Sequence, residues 1–320
     1  MQIFGLWRKT RQPEPDPPQD PGLVTYPSLP QPHTDTDSSP SETLPVPLFP
    51  NGVKVLHDCP DATIDICFVH GLTGDRESTW TADGQSTPWP KTLLPPRLQK
   101  ARILTYGYDA YVVRASAASA NRLNDHARNL LVKLTTNRDL NRASSRALIF
   151  VAHSLGGLVC KEAILLSRNN PEPHLCGIFD CTKGVIFMGT PHKGAWMANW
   201  ARIPVSTLGL FKSVNKSLLE VLDTKNEYLG TIQSKFMEML RQRQQQGEGS
   251  RPIGIACFLE ELPLTVAGMV VPKESAILDG FTYATIHGNH RNMVKFATAE
   301  EDGFQLLLGE LVRWESQASK

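Results

Sequence analysis

ALIFVAHSLGGL, residues 147–158, joins two kinds of local order. Ala147 to Ala152 form an unbroken apolar run centred on Ile149, Phe150 and Val151. A strand buried on both faces reads this way. After it, Leu155, Leu158, Val159 and Leu166 recur at roughly helical spacing. Ser154 stands at the junction. A strand that turns sharply into a helix around a serine is the nucleophile elbow, usually written G-x-S-x-G. The turn needs nearly side-chain-free residues two before and two after the serine. Here those residues are Ala152 and Gly156, so alanine replaces the first glycine. The elbow exposes the hydroxyl and sets a helix N-terminus beneath any negative charge that develops there. Ser154 is therefore the candidate nucleophile.

Outward from this stretch, apolar runs recur at Ile64–His70, Arg102–Tyr106, Gly184–Met188, Ile253–Leu259 and Phe281–Ile286. Helical patterns lie between several of them, as at Leu123, Ala127, Leu130 and Leu134. Apolar strands alternating with helices predict an α/β protein: a doubly wound, mostly parallel sheet covered on both faces. Ligands of such sheets sit beyond the carboxyl ends of the strands. An apolar insertion follows the strand ending near Met188 and carries Trp196, Met197 and Trp200, then a helix near 215–243. It either lines a substrate pocket, with Trp196 and Trp200 as the lining residues, or packs as a helix on the sheet.

The first core run ends in FVHGLTG. A His-Gly pair there turns the next N–H toward the site, so Leu72 and Leu155 N–H are the candidate oxyanion hole, although a plain strand-ending turn would use Gly71 and Gly74 equally well. In this kind of sheet the base follows nucleophile and acid in the chain. His57, His70, His126, His153, His174 and His192 come too early, and His33 lies in the amino-terminal stretch. His290 is the expected base, with His287 in reserve. The acid is expected at the end of the IGIACFL strand, where Glu260 and Glu261 are adjacent. Successive strand side chains point to opposite faces, so only one can meet the histidine. Either Glu260 or Glu261 can be that residue, and Glu274 and Asp279 are further candidates.

Composition narrows the classes. The chain has 320 residues, 41% hydrophobic, and a formal charge of +1, which suits one soluble core and gives no electrostatic footprint for nucleic acid. Twelve of the 24 prolines fall within residues 10–50, among Asp, Ser and Thr. Such a stretch cannot bury enough apolar surface to order itself, so residues 1–50 are expected to be a disordered tail and 51–320 the folded domain. The six cysteines form no CxxC pair; Cys67, Cys160 and Cys257 read as core residues of a reducing compartment, and a Cys176–Cys181 bridge stays open. Neither a secretory signal nor a transmembrane run is evident. The expected location is cytoplasmic, with the surface of the mitochondrion or endoplasmic reticulum as the alternative.

Taken together, VHGLTGDRESTW, WPKTLLP, ARILTYGYDA, FVAHSLGGLVCKEA, GVIFMGTPHKGAW, CFLEELP, VVPKESA and HGNHRNMVKF resemble the fungal serine esterases. These are related to the serine active-site-containing protein and, more distantly, to GPI inositol-deacylase and bacterial lipases. The likeness covers about residues 51–316. It implies an α/β-hydrolase fold, lipid or other ester substrates, and no metal or cofactor. It assigns Ser154, His290 and Glu260 to the catalytic positions, and Leu72 and Leu155 to the oxyanion hole. Many lipases carry their acid in a DGVVP-like loop, where this chain has Ala267-Gly268-Met269-Val270-Val271-Pro272. That departure moves the acid to the CFLEELP glutamates and keeps a catalytically inactive binding or signalling module as the alternative. Because the chain ends soon after this region, the free-standing form of the group is expected. Lipid esters would bring peripheral contact with a membrane.

Removing residues 1–45 is expected to leave soluble folding and ester hydrolysis intact. Insolubility of the shortened protein would contradict the tail assignment.

Overall fold

The computed structural model describes residues 50–72, 74–108, 119–193, 226–245, 252–265 and 268–318. The chain divides into two units, Met1–Val46 and Pro47–Lys320, and all described residues belong to the second. The tail expected over 1–50 thus lies outside the described residues, except for Pro50.

Among the described residues seven strands form one sheet: β1 Gly52–His57, β2 Ile64–Val69, β3 Ala101–Gly107, β4 Ala147–His153, β5 Thr182–Met188, β6 Gly254–Glu260 and β7 Thr282–Ile286. Their order is β1-β3-β2-β4-β5-β6-β7. Only β1 runs antiparallel, against β3; the other pairs are parallel. The helices are α1 Trp89–Thr92, α2 Ser119–Leu140, α3 Leu155–Arg168, α4 Pro173–Cys181, α5 Asn226–Gln245, α6 Lys273–Ala276 and α7 Asp302–Ala318. A short 3-10 turn spans Ser78–Trp80. Among the described residues no helix is long and apolar enough to cross a membrane.

The continuous apolar runs are strands because both faces of the sheet are covered. Every residue of β2, β3 and β4 is buried. In β4, Leu148, Phe150 and Ala152 face a core built with α2, α3, α4 and α5. The alternate residues Ala147, Ile149 and Val151 face a second core with Trp80, Trp89 and α7. There Phe68, Trp80, Trp89, Phe296 and Phe304 meet edge to face, at centroid separations of 5.0 to 6.4 Å. Trp314 of α7 lies on Gly184 and Gly254, which leave its ring room on β5 and β6. From β2 the chain runs on to β3 at one side and from β4 to β5 at the other, so the loops following β2 and β4 diverge at the carboxyl edge. That is the crevice where such sheets bind ligands.

The opposite edge is fixed by charge. Asp65, wholly buried in β2, accepts Arg102 Nε at 2.9 Å and a second Arg102 nitrogen at 3.0 Å, Arg138 at 2.6 Å and Arg146 at 2.9 Å. Arg138 also donates to the carbonyls of Ser144 and Arg146. One carboxylate thereby ties β2, β3, the end of α2 and the approach to β4. Three guanidinium groups around one acid leave excess positive charge, which partly exposed Arg146 shares with solvent. Cys176 and Cys181 are free thiols, so the bridge left open by the sequence is not formed.

Removing the Asp65 charge would leave two enclosed guanidinium groups without a counter-ion. Asp65→Asn is expected to lower unfolding stability by about 3 to 5 kcal/mol, read as a fall in the urea midpoint. A loss under about 1 kcal/mol would mean that the arginines relax into water.

Candidate active site

The elbow is visible in the backbone. Ser154 adopts φ 54° and ψ −126° immediately before α3, a region costly for a residue with a β-carbon. Its N–H donates to Met188 O at 2.9 Å, tying the turn to the end of β5. A β-carbon at Gly156 would stand 2.6 Å from Val69 O, so only glycine lets α3 settle on the end of β2. A β-carbon at Gly71 would stand 2.8 Å from Ser154 Cβ, which puts the His-Gly turn directly against the candidate nucleophile. Ser154 is buried, and its Oγ has no hydrogen-bond partner among the described residues.

Glu260 ends β6 with its carboxylate turned inward, and Glu261 points out. This is the alternation the pleat demands. Glu260 Oε2 lies 2.5 Å from His290 Nδ1. Its other oxygen accepts the N–H groups of Val270, at 2.5 Å, and Val271, at 3.1 Å. Both side chains are buried. A carboxylate facing Nδ1 fixes that nitrogen as the donor and leaves Nε2 as the basic atom of a neutral ring.

The imidazole is seated from several sides. Gly189, at φ 56°, follows Met188; a β-carbon there would stand 2.9 Å from His290 Cε1. Ser154 and His290 therefore meet successive residues, Met188 and Gly189, at the end of one strand. His153, just before Ser154, donates from Nε2 to His290 O at 2.9 Å, with the two rings 4.8 Å apart. Burial and the neighbouring His290 ring hold the His153 pKa well below the ordinary histidine value. Trp89 Nε1 donates to Val294 O at 2.8 Å and anchors the same loop from below.

The other expected residues stand apart. Glu261 pairs with the reserve base His287 at 3.2 Å, and both are exposed. Glu274 is exposed at the start of α6. Exposed Asp279 pairs with Lys193. Neither Glu261, Glu274 nor Asp279 meets His290 in any hydrogen bond or ion pair found among the described residues. Trp196 and Trp200 lie outside the described residues.

Leu155 is the first residue of α3, where an N–H has no partner within the helix. Near Leu72, buried His70 donates from Nδ1 to Gly71 O at 2.7 Å and accepts Tyr108 N–H on Nε2 at 3.2 Å. With the Gly71 carbonyl held by the ring, the trans peptide turns Leu72 N–H the opposite way. Tyr108 stacks on His70 at 4.4 Å and donates from its hydroxyl to His70 O at 2.9 Å. Sequence reasoning read His70 as part of the His-Gly turn but gave its ring no role, and set His153 aside as too early in the chain. Their positions beside Gly71 and Ser154 were the available signal.

A mostly parallel sheet in this order, a serine elbow after its central strand, and Glu then His later in the chain define the α/β-hydrolase fold. The chain is similar to "Protein SERAC1" of Mus musculus, 28% identical over 286 residues, covering 81% of this chain and 41% of that protein. To "Protein SERAC1" of Homo sapiens it is 28% identical over 274 residues, covering 77% and 39%. The chain thus spans about two fifths of the length of these relatives. No family model matches it. Among solved structures, Bacillus licheniformis lipase BlEst2 in mature form aligns with a TM-score of 0.45 and 18% identity, over 80% of this chain and 97% of that one. A lipase-esterase related protein from Clostridium acetobutylicum aligns with a TM-score of 0.43 and 10% identity, over 82% and 98%.

Burial pulls the His70 pKa down to about 4. Between that value and the ordinary histidine value of about 6.5 the unfolded chain binds the extra proton, so stability falls as pH drops through this window. His70→Asn is expected to flatten the stability–pH slope between about 4 and 6.5, in chemical unfolding followed across pH. An unchanged slope would show that His70 is not a source of the acid sensitivity.

Proposed function

We propose that this chain is a serine hydrolase of carboxylic esters, with lipid acyl esters as its substrate class, working through Ser154, His290 and Glu260. The observation that carries the reading is the enclosed Glu260–His290 contact of 2.5 Å at the mouth of a serine elbow. A surface carboxylate and imidazole would gain little from pairing. Burying both, with two backbone N–H groups on the carboxylate, suits a ring that must become an imidazolium during reaction.

In this reading His290 Nε2 takes the Ser154 proton as Oγ attacks the ester carbonyl. The tetrahedral oxyanion is received by Leu72 and Leu155 N–H, above the N-terminus of α3. Collapse expels the alcohol, which takes the proton from His290, and leaves an acyl-serine. Water, deprotonated by His290, attacks that acyl group and releases the acid and free Ser154. Each proton borrowed is returned, so the cycle needs neither metal nor cofactor. Glu260 orients the ring and offsets its transient charge.

The lipid class and the kinship with fungal serine esterases rest on the sequence motifs; the curated relatives reported above are animal proteins. On the same footing we assign the esterase to residues 51–320 and its work to the cytoplasm, with a mitochondrial or endoplasmic reticulum surface as the alternative and peripheral contact with lipid.

Ser154→Ala is expected to abolish both fluorophosphonate labelling and hydrolysis of p-nitrophenyl esters, with the thermal transition nearly unchanged. Activity within about tenfold of the parent would remove Ser154 as nucleophile. If the parent itself is neither labelled nor active, the binding-module alternative takes its place. Glu260→Gln is expected to lower kcat by about a hundredfold or more, by the logic of an acid that holds the imidazole's tautomer. Glu261→Gln and Glu274→Gln should turn over normally and stay within about 0.5 kcal/mol in stability. A crippled Glu261→Gln or Glu274→Gln beside a normal Glu260→Gln would move the acid.

A further inference from the structure

Lys161 lies about two turns along α3 from Ser154. A lysine in that helix would ordinarily reach for water. This one is wholly buried. Its amine stands over the rings of Phe187 and Phe236, 5.1 and 5.5 Å from their centroids. It donates to Gln233 Oε1 of α5 at 2.5 Å and meets His192 Nδ1 at 2.6 Å. No carboxylate pairs with it among the described residues, and burial brings its pKa down to about 7. Charged or neutral, the amine retains N–H groups to donate.

His192 belongs to the loop that leaves β5. Its ring edge meets Phe187 at 4.9 Å, and its Nε2 faces Cys257 Sγ at 3.6 Å. If Nδ1 accepts from Lys161, the proton resides on Nε2 and points at the sulfur. The His192 N–H donates to Ser275 O of α6 at 2.6 Å, and Ser275 Oγ donates back to Lys193 O. The β5-exit loop is thus stitched to the short helix that follows Val270 and Val271, the residues holding Glu260.

The same loop touches the site on its other side. Gly189 seats the His290 ring, and Thr190 packs on Gly157, where a β-carbon would stand 2.8 Å from Thr190 Cβ. One loop therefore contacts the nucleophile's helix, the base and the segment that grips the acid. Lys161 joins it to α3 by a side-chain hydrogen bond to His192.

We propose that Lys161 and His192 are a positioning pair for the active site: the buried amine holds the imidazole, and through it the loop that seats His290 and is tied to the clamp on Glu260. This deepens the esterase reading and rests on it. Neither residue touches the reacting atoms. Both act through geometry, so their loss should lower kcat while substrate binding persists.

The test uses how amides imitate imidazole. In His192→Asn the amide oxygen falls near the place of Nδ1 and can still accept from Lys161. In His192→Gln the amide reaches instead toward the place of Nε2, so the acceptor is lost. With the full-length protein and p-nitrophenyl butyrate, His192→Gln and Lys161→Met should each lower kcat by about thirtyfold or more, with KM changed less than about threefold. His192→Asn should stay within about fivefold of the parent. Equal behaviour of the Asn and Gln variants would overturn the proposal, since a purely space-filling role would not tell them apart. So would Lys161→Met with normal kcat; if that variant fails to fold, the His192 comparison decides alone. A second readout does not use activity: 15N NMR of the imidazole rings should show His192 protonated at Nε2, with Nδ1 unprotonated. A His192 protonated at Nδ1 would overturn the pair even in an active enzyme. An unlabelled, inactive parent with the expected His192 tautomer would instead overturn the esterase reading and, with it, the catalytic role assigned to the pair.

Discussion

Ser154 is held at φ 54° and ψ −126°, and nearly everything at the carboxyl edge of the sheet follows from that one turn. A non-glycine residue in such a region costs on the order of 1 to 3 kcal/mol and persists only when its surroundings over-determine it. Here β4 is buried along its whole length, so the strand cannot pivot to relieve the turn. The Ser154 N–H is bound to Met188 O. On the far side, α3 rests on the end of β2 through a glycine too close to Val69 for any other residue. Strand, neighbouring strand and helix fix the serine from three directions. The hydroxyl is placed by the backbone, and the first N–H of α3 is placed with it.

Two buried carboxylates sit at opposite edges of the same sheet, and their partners differ in kind. Asp65 is surrounded by guanidinium groups, which do not give up protons in a protein. That cluster offers only attraction and a fixed set of distances, which suits an edge whose task is to hold four segments together. Glu260 is met by an imidazole and two peptide N–H groups. The peptide groups hold one oxygen, while the imidazole nitrogen meets the other. Desolvation weighs against both carboxylates, and charge-assisted hydrogen bonds offset it in both. Only the second arrangement sets an imidazole against a carboxylate, as the proposed catalytic role of His290 and Glu260 requires.

Much of this was legible in the sequence. All six runs read as strands are strands, because sheets covered on both faces select unbroken apolar stretches that few other structures need. β1 was not anticipated: GVKVLH mixes polar and apolar residues on a half-exposed edge, and its pairing with β3 is antiparallel. Helix α4 was missed because Pro173–Cys181 is short and carries Gly177 in its middle. The Asp65 cluster left no periodic trace, since a single polar residue inside IDICFVH looks like noise and its partners lie 37, 73 and 81 residues away. The pleat made a choice between Glu260 and Glu261 necessary. What grips Glu260, two main-chain N–H groups of Val270 and Val271, has no side-chain signature at all.

The adjacent glutamates and the neighbouring histidines make two pairs, and comparing them shows what burial adds. Glu261 and His287 sit 3.2 Å apart with side chains 49% and 77% exposed. Water competes for both, and such a pair contributes no more than about 1 kcal/mol. Its backbone does more than its charge, because Glu261 N–H reaches the carbonyls of Ile286 and Gly288 and prolongs the β6–β7 register past the last paired residues. That register decides which glutamate faces inward. A slip of one residue would turn Glu260 toward solvent and Glu261 toward the core, exchanging a clamped carboxylate for one without its peptide donors. The exposed pair and its backbone bonds thus act as a stop at the strand end. The inner pair inherits its position from that stop, from the loop at Val270 and from the cavity left for His290 over Gly189. A carboxylate proposed to orient a ring to within a fraction of an ångström needs this kind of support more than it needs additional charge.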